Sequence, residues 1–474
     1  MSEQLEVGVI GSEASATLFD DPVLSSTVLD NTVAHNVQIS NAAMERRVLD
    51  LAWPVISENF LETLLGIVDT WLVSSLGAVA LAGVGTAIQF MFFIISALSA
   101  VSVGSAVLVA QSVGARDLVR AGNLAKQSLV WSLIISIPLS LIGLFNAHTL
   151  VSIFGMEQAV TDVGAAYLRV TMGTVVVLVM LIIGGGVLRG AGDSRTPMLV
   201  TAFANVVNVG LAYVLIFGKL GLPAMGAVGS AWATFIARFL ALILLLFALW
   251  QGRKNVTIRG GASWWPDWQV ARQVLQIGVP AAVEQMLMSS AFLVMTTVIS
   301  HLGTLALAAQ RVAMNAMSLS FLPAFGFSIA ATALVGQSVG ARRPEEGQAA
   351  ASIATRWAMI WMSCLGVIFL LFAPQIMRFF SDDPGVVTIG AAGLRVVALT
   401  QPFWALGFVN AGALRGTGNT QYPLRVNAVG IWAAVGLGAF FVAYFSPSLS
   451  AVWAAFLITS PITSFLLWRR FRQG

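Results

Sequence analysis

Charge is what this sequence has least of. Asp, Glu, Lys and Arg make up 10% of its 474 residues, while 58% are hydrophobic. A soluble protein carries about 25% charged residues, so a water-soluble globular fold is excluded and a polytopic membrane protein is left. There is a single cysteine, Cys364, inside an apolar run. That excludes a disulfide framework and a thiolate metal site. The three histidines, His35, His148 and His301, are scattered without metal-ligand spacing. No Gly-x-x-x-x-Gly-Lys-Ser/Thr stretch occurs, which excludes a nucleotide-driven engine of the P-loop kind. No Ser/His/Asp or paired-His arrangement lies in the apolar segments. The chain is therefore expected to be no enzyme, to hold no cofactor, to bind no nucleic acid, and to draw any work from an ion gradient.

Basic residues are missing altogether from residues 1–45, which hold seven acids. The first 44 residues are rich in Ser, Thr, Asn and Asp and lack the basic start and apolar run of a signal peptide. They are expected to form a disordered acidic tail. The rest of the chain carries 25 basic and 14 acidic residues. That excess is read as membrane topology.

What is abundant is long apolar runs. Twelve can be counted between residues 49 and 468, each long enough for the ~20 residues that a bilayer requires. Fourteen tryptophans and 44 glycines suit interfacial belts and close helix packing. Basic residues fall in alternate connections, such as Arg116, Arg120 and Lys126, then Arg253, Lys254 and Arg259. By the positive-inside rule both termini are then cytoplasmic. The longest polar break, 251–270, carries Trp264, Trp265 and Trp268 and reads as a linker at the membrane interface. The expected layout is a tail at 1–44, six spans in 45–250, the linker, and six spans in 271–474.

The strongest signal is an internal repeat at a constant offset of 226. Pro54 maps onto Pro280, Glu58 onto Glu284 and Leu76-Gly77 onto Leu302-Gly303. LVAQSVGAR (108–116) maps onto LVGQSVGAR (334–342), and LRGAGDSRTP (188–197) onto LRGTGNTQYP (414–423). One offset along the whole length means two homologous halves. With an even number of spans each, they share an orientation and are related by an axis along the membrane normal, with a cavity between them. In Q-S-V-G-A-R the glycine suits a helix C-terminal turn. In L-R-G-x-G the glycines allow a tight turn, and Pro197 or Pro423 suits the first turn of the next helix. Both motifs are read as cytoplasmic turns that set helix pairing rather than as substrate contacts.

The first span departs from its apolar surroundings. It carries Glu58, Glu62 and Asp69, which at ~100° per residue fall within about 40° of one another on one helical stripe. Ionisable groups at membrane depth are costly and face a cavity or a partner. Only Glu58 has a twin in the second half; Glu62 and Asp69 correspond to Met288 and Met295. A feature in both halves is read as architectural, and a feature in one half as tied to binding one cation. Arg238 lies one turn beyond Thr234 in the sixth span. Two readings of it stand open: it satisfies the acids as a buried ion pair, or it is the counter-charge that drives proton release. In the second half Glu284 and Arg311 are the obvious intramembrane charges and are expected to pair. Gln285, Gln310, Asn315 and Asn410 are candidates for the cavity wall or gate.

Together the Pro54-to-Thr70 run P-x-x-x-E-x(10)-D-T, the Leu-Gly and Gln-Ser-x-Gly-Ala-Arg elements and both L-R-G-x-G turns resemble the multidrug and toxic compound extrusion family over roughly residues 45–470. The resemblance implies an all-α fold of two six-helix lobes forming a V that opens alternately to each side. It implies export of organic cations or other amphipathic small molecules by a monomer in the cytoplasmic membrane, coupled to H⁺ or Na⁺ entry. Residue by residue, Asp69, Asn208 and Thr234 match the family's first-lobe cation site. The family's fifth-helix Asp falls on Ala212, and its second-lobe Glu and Asp fall on Met288 and Phe403. The chain is thus nearest the branch related to DNA-damage-inducible protein F, with an incomplete site. Asp69, Asn208 and Thr234 offer a Na⁺ ion three ligands. Glu62 is about 10 Å away along the helix, too far to complete a compact shell, so H⁺ is favoured. Two other functions compete. One is a flippase for lipid-linked substrates, which would want a strongly cationic cavity. The other is a non-transporting scaffold or receptor, which leaves the one-sided carboxylates without a purpose.

Overall fold

The computed structural model describes residues 22–252, 256–260 and 263–473, with side chains from residue 42 onward. The chain divides into two units, Met1–Arg47 and Val48–Gly474. Residues 1–21 of the acidic segment lie outside the described residues; residues 22–44, expected to be disordered, are helical and begin α1. Among those described there are fourteen helices and no strand. The first half contains α1 (Pro22–Ser74), α2 (Ala78–Gly114), α3 (Leu118–Ser152), α4 (Gln158–Gly173), α5 (Val175–Gly190), α6 (Arg195–Phe217) and α7 (Gly226–Gln251). The second half repeats the order with α8 (Trp268–Ser300), α9 (Thr304–Gly340), α10 (Pro344–Phe380), α11 (Pro384–Ala398), α12 (Gln401–Gly416), α13 (Gln421–Tyr444) and α14 (Leu449–Gln473).

Ten helices are long and apolar enough to cross a membrane alone, α1 through its Ala42–Ser74 part. The pairs α4 with α5 and α11 with α12 bend by 51° and 56° and each make one broken span. Counted so, the total reaches the twelve expected, with the fourth span of each half broken. The breaks lie at Thr174 and at Leu399–Thr400.

Each half has its own apolar core. In the first, Leu124, Leu168, Met172, Ile183 and Leu249 are fully buried. In the second, Met295, Met377, Leu394 and Trp453 play that part. At the turns after α1 and α8, Gly77 and Gly303 hold φ of 101° and 107°, a region that only glycine enters freely. The turn after α2 differs from expectation. Gly114 and Gly340 are the last helical residues, and the left-handed residues are Arg116 and Arg342, with φ of 59° and 56°. The glycines serve a different need, close approach. A Cβ on Gly114 would collide with the Gln337 carbonyl, and one on Gly340 with the Gln111 carbonyl.

Other small residues bring the halves together in the same crossed manner. The first helix of each half packs on the second helix of the other. Gly278 of α8 lies against the Ala100 carbonyl of α2, and Gly104 of α2 against Val274 of α8. Gly326 of α9 meets Ile56 and the Ala52 carbonyl of α1. These contacts all lie toward the end that carries the Q-S-V-G-A-R turns, the basic end.

The segment between the halves belongs to the first. Val256 is fully buried there, Ile258 N–H donates to the Leu249 carbonyl, and Gln127 of α3 hydrogen-bonds Ser263, Trp265 and Asp267. Trp264, Trp265 and Trp268 stay exposed.

Candidate functional site

The acid stripe of α1 faces inward. Trp53, Ile67 and Trp71, each more than 60% exposed, occupy the opposite side of the helix. The three carboxylates then meet three different fates.

Glu58 is paired. Arg189 Nη1 donates to Glu58 Oε2 at 2.9 Å and to Oε1 at 3.1 Å, and Thr201 Oγ1 lies 3.4 Å from Oε1. Arg189 sits in the last turn of α5, where the helix dipole favours a cation. The pair ties α1 to α5 and α6. At the offset of 226 the second half repeats it. Arg415 Nη2 donates to Glu284 Oε1 at 2.7 Å, and Asn427 Nδ2 to the same oxygen at 2.6 Å. One expectation is thereby corrected, since Glu284 pairs with Arg415 rather than Arg311. Of the two open readings of Arg238, the ion pair does not extend to Glu58, which Arg189 satisfies. In both lobes the partner is the arginine of the L-R-G-x-G motif, whose side chain turns back from the helix end into the lobe.

Glu62 makes no hydrogen bond or ion pair among the described residues. It has open surface and yet feels the charges of Glu58, Arg238 and Arg189.

Asp69 is half-buried, and its Oδ1 is enclosed without a hydrogen-bond partner. Asn208, 2% exposed on α6, donates from Nδ2 to Thr234 Oγ1 of α7 at 2.9 Å, and Thr234 donates to the Ser230 carbonyl at 3.0 Å. That leaves Asn208 Oδ1 as a second enclosed acceptor with no donor. Leu72, Ala212 and Ala233 share one buried cluster just beyond these groups. Asp69 lies three residues before Leu72 and Asn208 four before Ala212. On two helices that both start at the basic end, this puts them about one turn below the cluster, at one level. The same cluster explains the departure at Ala212, which is fully buried among Leu72, Leu215 and Ile216.

Arg238 is half-buried on the same side of α7 as Thr234. It makes no ion pair among the described residues, although its charge reaches Asp69 and Glu62. Thr171, Thr174, Thr234 and Arg238 line a small cavity beside it. Tyr167 of α4 is buried and lies near enough to Asp69 and Arg238 to feel their charges.

The second-half candidates are not brought together. Gln285, Arg311 and Asn315 are exposed and their side chains make no hydrogen bond among the described residues. Gln310 is buried and donates to Thr296 Oγ1 at 3.1 Å, and Asn410 donates to the Leu406 carbonyl one turn back in its own helix. Met288 and Met295 pack into the core. Arg189, Arg415, Asn427 and Tyr167 went unrecognised in the sequence. For the two arginines the signal was available: they repeat at the same offset as Glu58 and Glu284.

The comparisons with known proteins bear on the family and the fold. The MatE family profile matches the chain twice, over residues 54–214 and 280–440, the two halves of the repeat. The probable multidrug resistance protein NorM of Thermotoga maritima is 32% identical over 412 residues, covering 86% of this chain and 88% of the relative. The multidrug resistance protein MdtK of Yersinia pestis is 26% identical over 444 residues, covering 90% and 95%. Among solved structures, a MATE in the bent conformation superposes with a TM-score of 0.84 at 24% identity, covering 92% of this chain and 96% of the other. The outward-facing conformation of a multidrug resistance MATE family transporter of the MOP superfamily gives 0.84 at 24% identity, covering 91% and 95%.

Proposed function

This chain belongs to the MatE family of membrane transporters, and we propose that it is a secondary active antiporter exporting amphipathic or cationic small molecules across the cytoplasmic membrane in exchange for H⁺. The basic end faces the cytoplasm, and the lobes alternate between opening outward and inward.

The observation that carries this reading is the pair of enclosed, donorless oxygens, Asp69 Oδ1 and Asn208 Oδ1. Buried acceptors are normally satisfied. A proton on Asp69 turns one acceptor into a donor and gives this level of the site the hydrogen it lacks. Charge balance favours the same ion. Glu58 and Arg189 cancel. Glu62, Asp69 and Arg238 then leave one net negative charge when both acids are ionised, and one proton or one substrate cation removes it. Two ligands that neutralise the same site exclude each other, which is the requirement for antiport. A Na⁺ ion is less well served, since Thr234 is already engaged on both sides and Ala212 offers no oxygen.

Efflux of a dye panel from proteoliposomes, driven in turn by a pH gradient and by a Na⁺ gradient, tests the reading. Efflux in Na⁺-free buffer that stops when the pH gradient is collapsed supports it. Efflux that requires a Na⁺ gradient and ignores the pH gradient refutes the choice of ion, and no efflux under either refutes the exchange itself.

A further inference from the structure

The two motifs shared by the halves meet each other across the molecule. Gln111 Nε2 donates to the Gly416 carbonyl at 3.1 Å, and Gln337 Nε2 donates to the Gly190 carbonyl at 3.0 Å. Each glutamine belongs to the Q-S-V-G-A-R segment of one lobe, and each acceptor to the L-R-G-x-G turn of the other. Gln111 and Gln337 stand 226 residues apart, as do Gly190 and Gly416, so the contact is reciprocal. The acceptors end α5 and α12, where helix carbonyls have no partner within their own helix.

The surrounding glycines make room for these bonds. Gly192 and Gly418 hold φ of 91° and 89°. A Cβ on Gly192 would sit 3.1 Å from Gln337 Nε2, and one on Gly418 3.6 Å from Gln111 Nε2. Gly114 and Gly340 let the ends of α2 and α9 come into backbone contact beside them. The same turns hold Arg189 and Arg415 on Glu58 and Glu284. Each L-R-G-x-G turn is thus anchored within its own lobe by its arginine and gripped by the other lobe through a carbonyl.

We propose that these two turns form a reciprocal clasp that holds the cytoplasmic end of the transporter shut and must release both glutamines together when that end opens. The inference rests on the alternating-access reading above. It explains why the motifs are duplicated while the carboxylates Glu62 and Asp69 are not. Closing the end is a joint act of two lobes, whereas binding is done by one. Released glutamines and carbonyls are rehydrated by cytoplasmic water, so the clasp favours the closed state without trapping it.

The test is the distance across the basic end, measured by spin labels at Val119→Cys and Glu345→Cys in a Cys364→Ser background, in lipid and with no gradient or substrate. Both labelled positions are exposed. In the parent a short distance should dominate. In Gln111→Leu/Gln337→Leu the ratio of long to short distances should rise by roughly ten- to a hundred-fold, from two lost hydrogen bonds. Gln111→Glu and Gln337→Glu, which keep the side-chain size but turn the donating amide into an acceptor facing a carbonyl, should each move the ratio the same way. A ratio unchanged in all three overturns the clasp. Because no ion gradient or export enters the measurement, that failure is distinct from a failure of proton-coupled efflux.

Discussion

Arg415 Nη2 donates to Glu284 Oε1 across 2.7 Å, within a carboxylate side chain that is only 2% exposed. Removing one partner of such a buried pair leaves the other charged and unpaired, at a cost of about 3–5 kcal/mol. We expect Glu284→Leu to lower the thermal unfolding midpoint well below the parent. Glu284→Leu/Arg415→Leu should recover most of the loss. Melting curves in detergent decide the matter; equal destabilisation by the single and double variants would show that the pair is incidental.

The contact between halves is equally exposed to substitution. Gly278→Val would drive a branched side chain into the Ala100 carbonyl of the other lobe. Overpacking of this kind costs about 1–3 kcal/mol. Gly85, whose Cβ would meet nothing within 4 Å, is the control. Gly278→Val should reduce both stability and export while Gly85→Val leaves stability unchanged, as read by thermal unfolding and dye efflux.

Much of this architecture was legible in the sequence, and the exceptions have physical reasons. The offset of 226 gave away both lobes because the starts of α2 to α6 recur at it in α9 to α13. Asp69 stood out because a carboxylate in an apolar run is costly. The partner of Glu284 was hidden because Arg415 lies at a helix end, where a basic residue reads as a topology marker. Its side chain turns inward only because Glu284 and Asn427 wait there. Gly114 read as a turn glycine because its neighbour across the molecule, Gln337, is 223 residues away, and no local pattern records such a contact. The bends at Thr174 and at Leu399–Thr400 were not legible from length, because the longer α2 and α9 run unbroken.

The acidic segment is expected to be dispensable. Residues 22–40 continue α1 at its start, but the segment's composition offers few apolar residues to bury. A chain lacking residues 1–40 should insert and export at rates close to the full chain. A collapse of either, seen by membrane fractionation or by dye efflux, would assign that segment a task.

Glu62 and Glu58 should behave differently. Without Glu62, Asp69 and Arg238 balance, and no proton is needed for neutrality. Glu62→Gln should therefore loosen the coupling of efflux to the pH gradient, giving fewer protons per substrate while substrate still crosses. Glu58→Gln should lower stability through its lost bond to Arg189 and leave the stoichiometry of the remaining folded protein intact. Paired measurements of proton and dye flux in proteoliposomes separate the two.

The central claim is that Asp69 holds one proton which a substrate cation displaces. The direct measurement is the number of protons released on adding saturating substrate to the purified protein in weakly buffered detergent solution, read with a pH indicator. We expect close to one proton per molecule from the parent and none from Asp69→Asn that is folded and still binds substrate. No release from the parent, or equal release from Asp69→Asn, would contradict the assignment of the proton to Asp69.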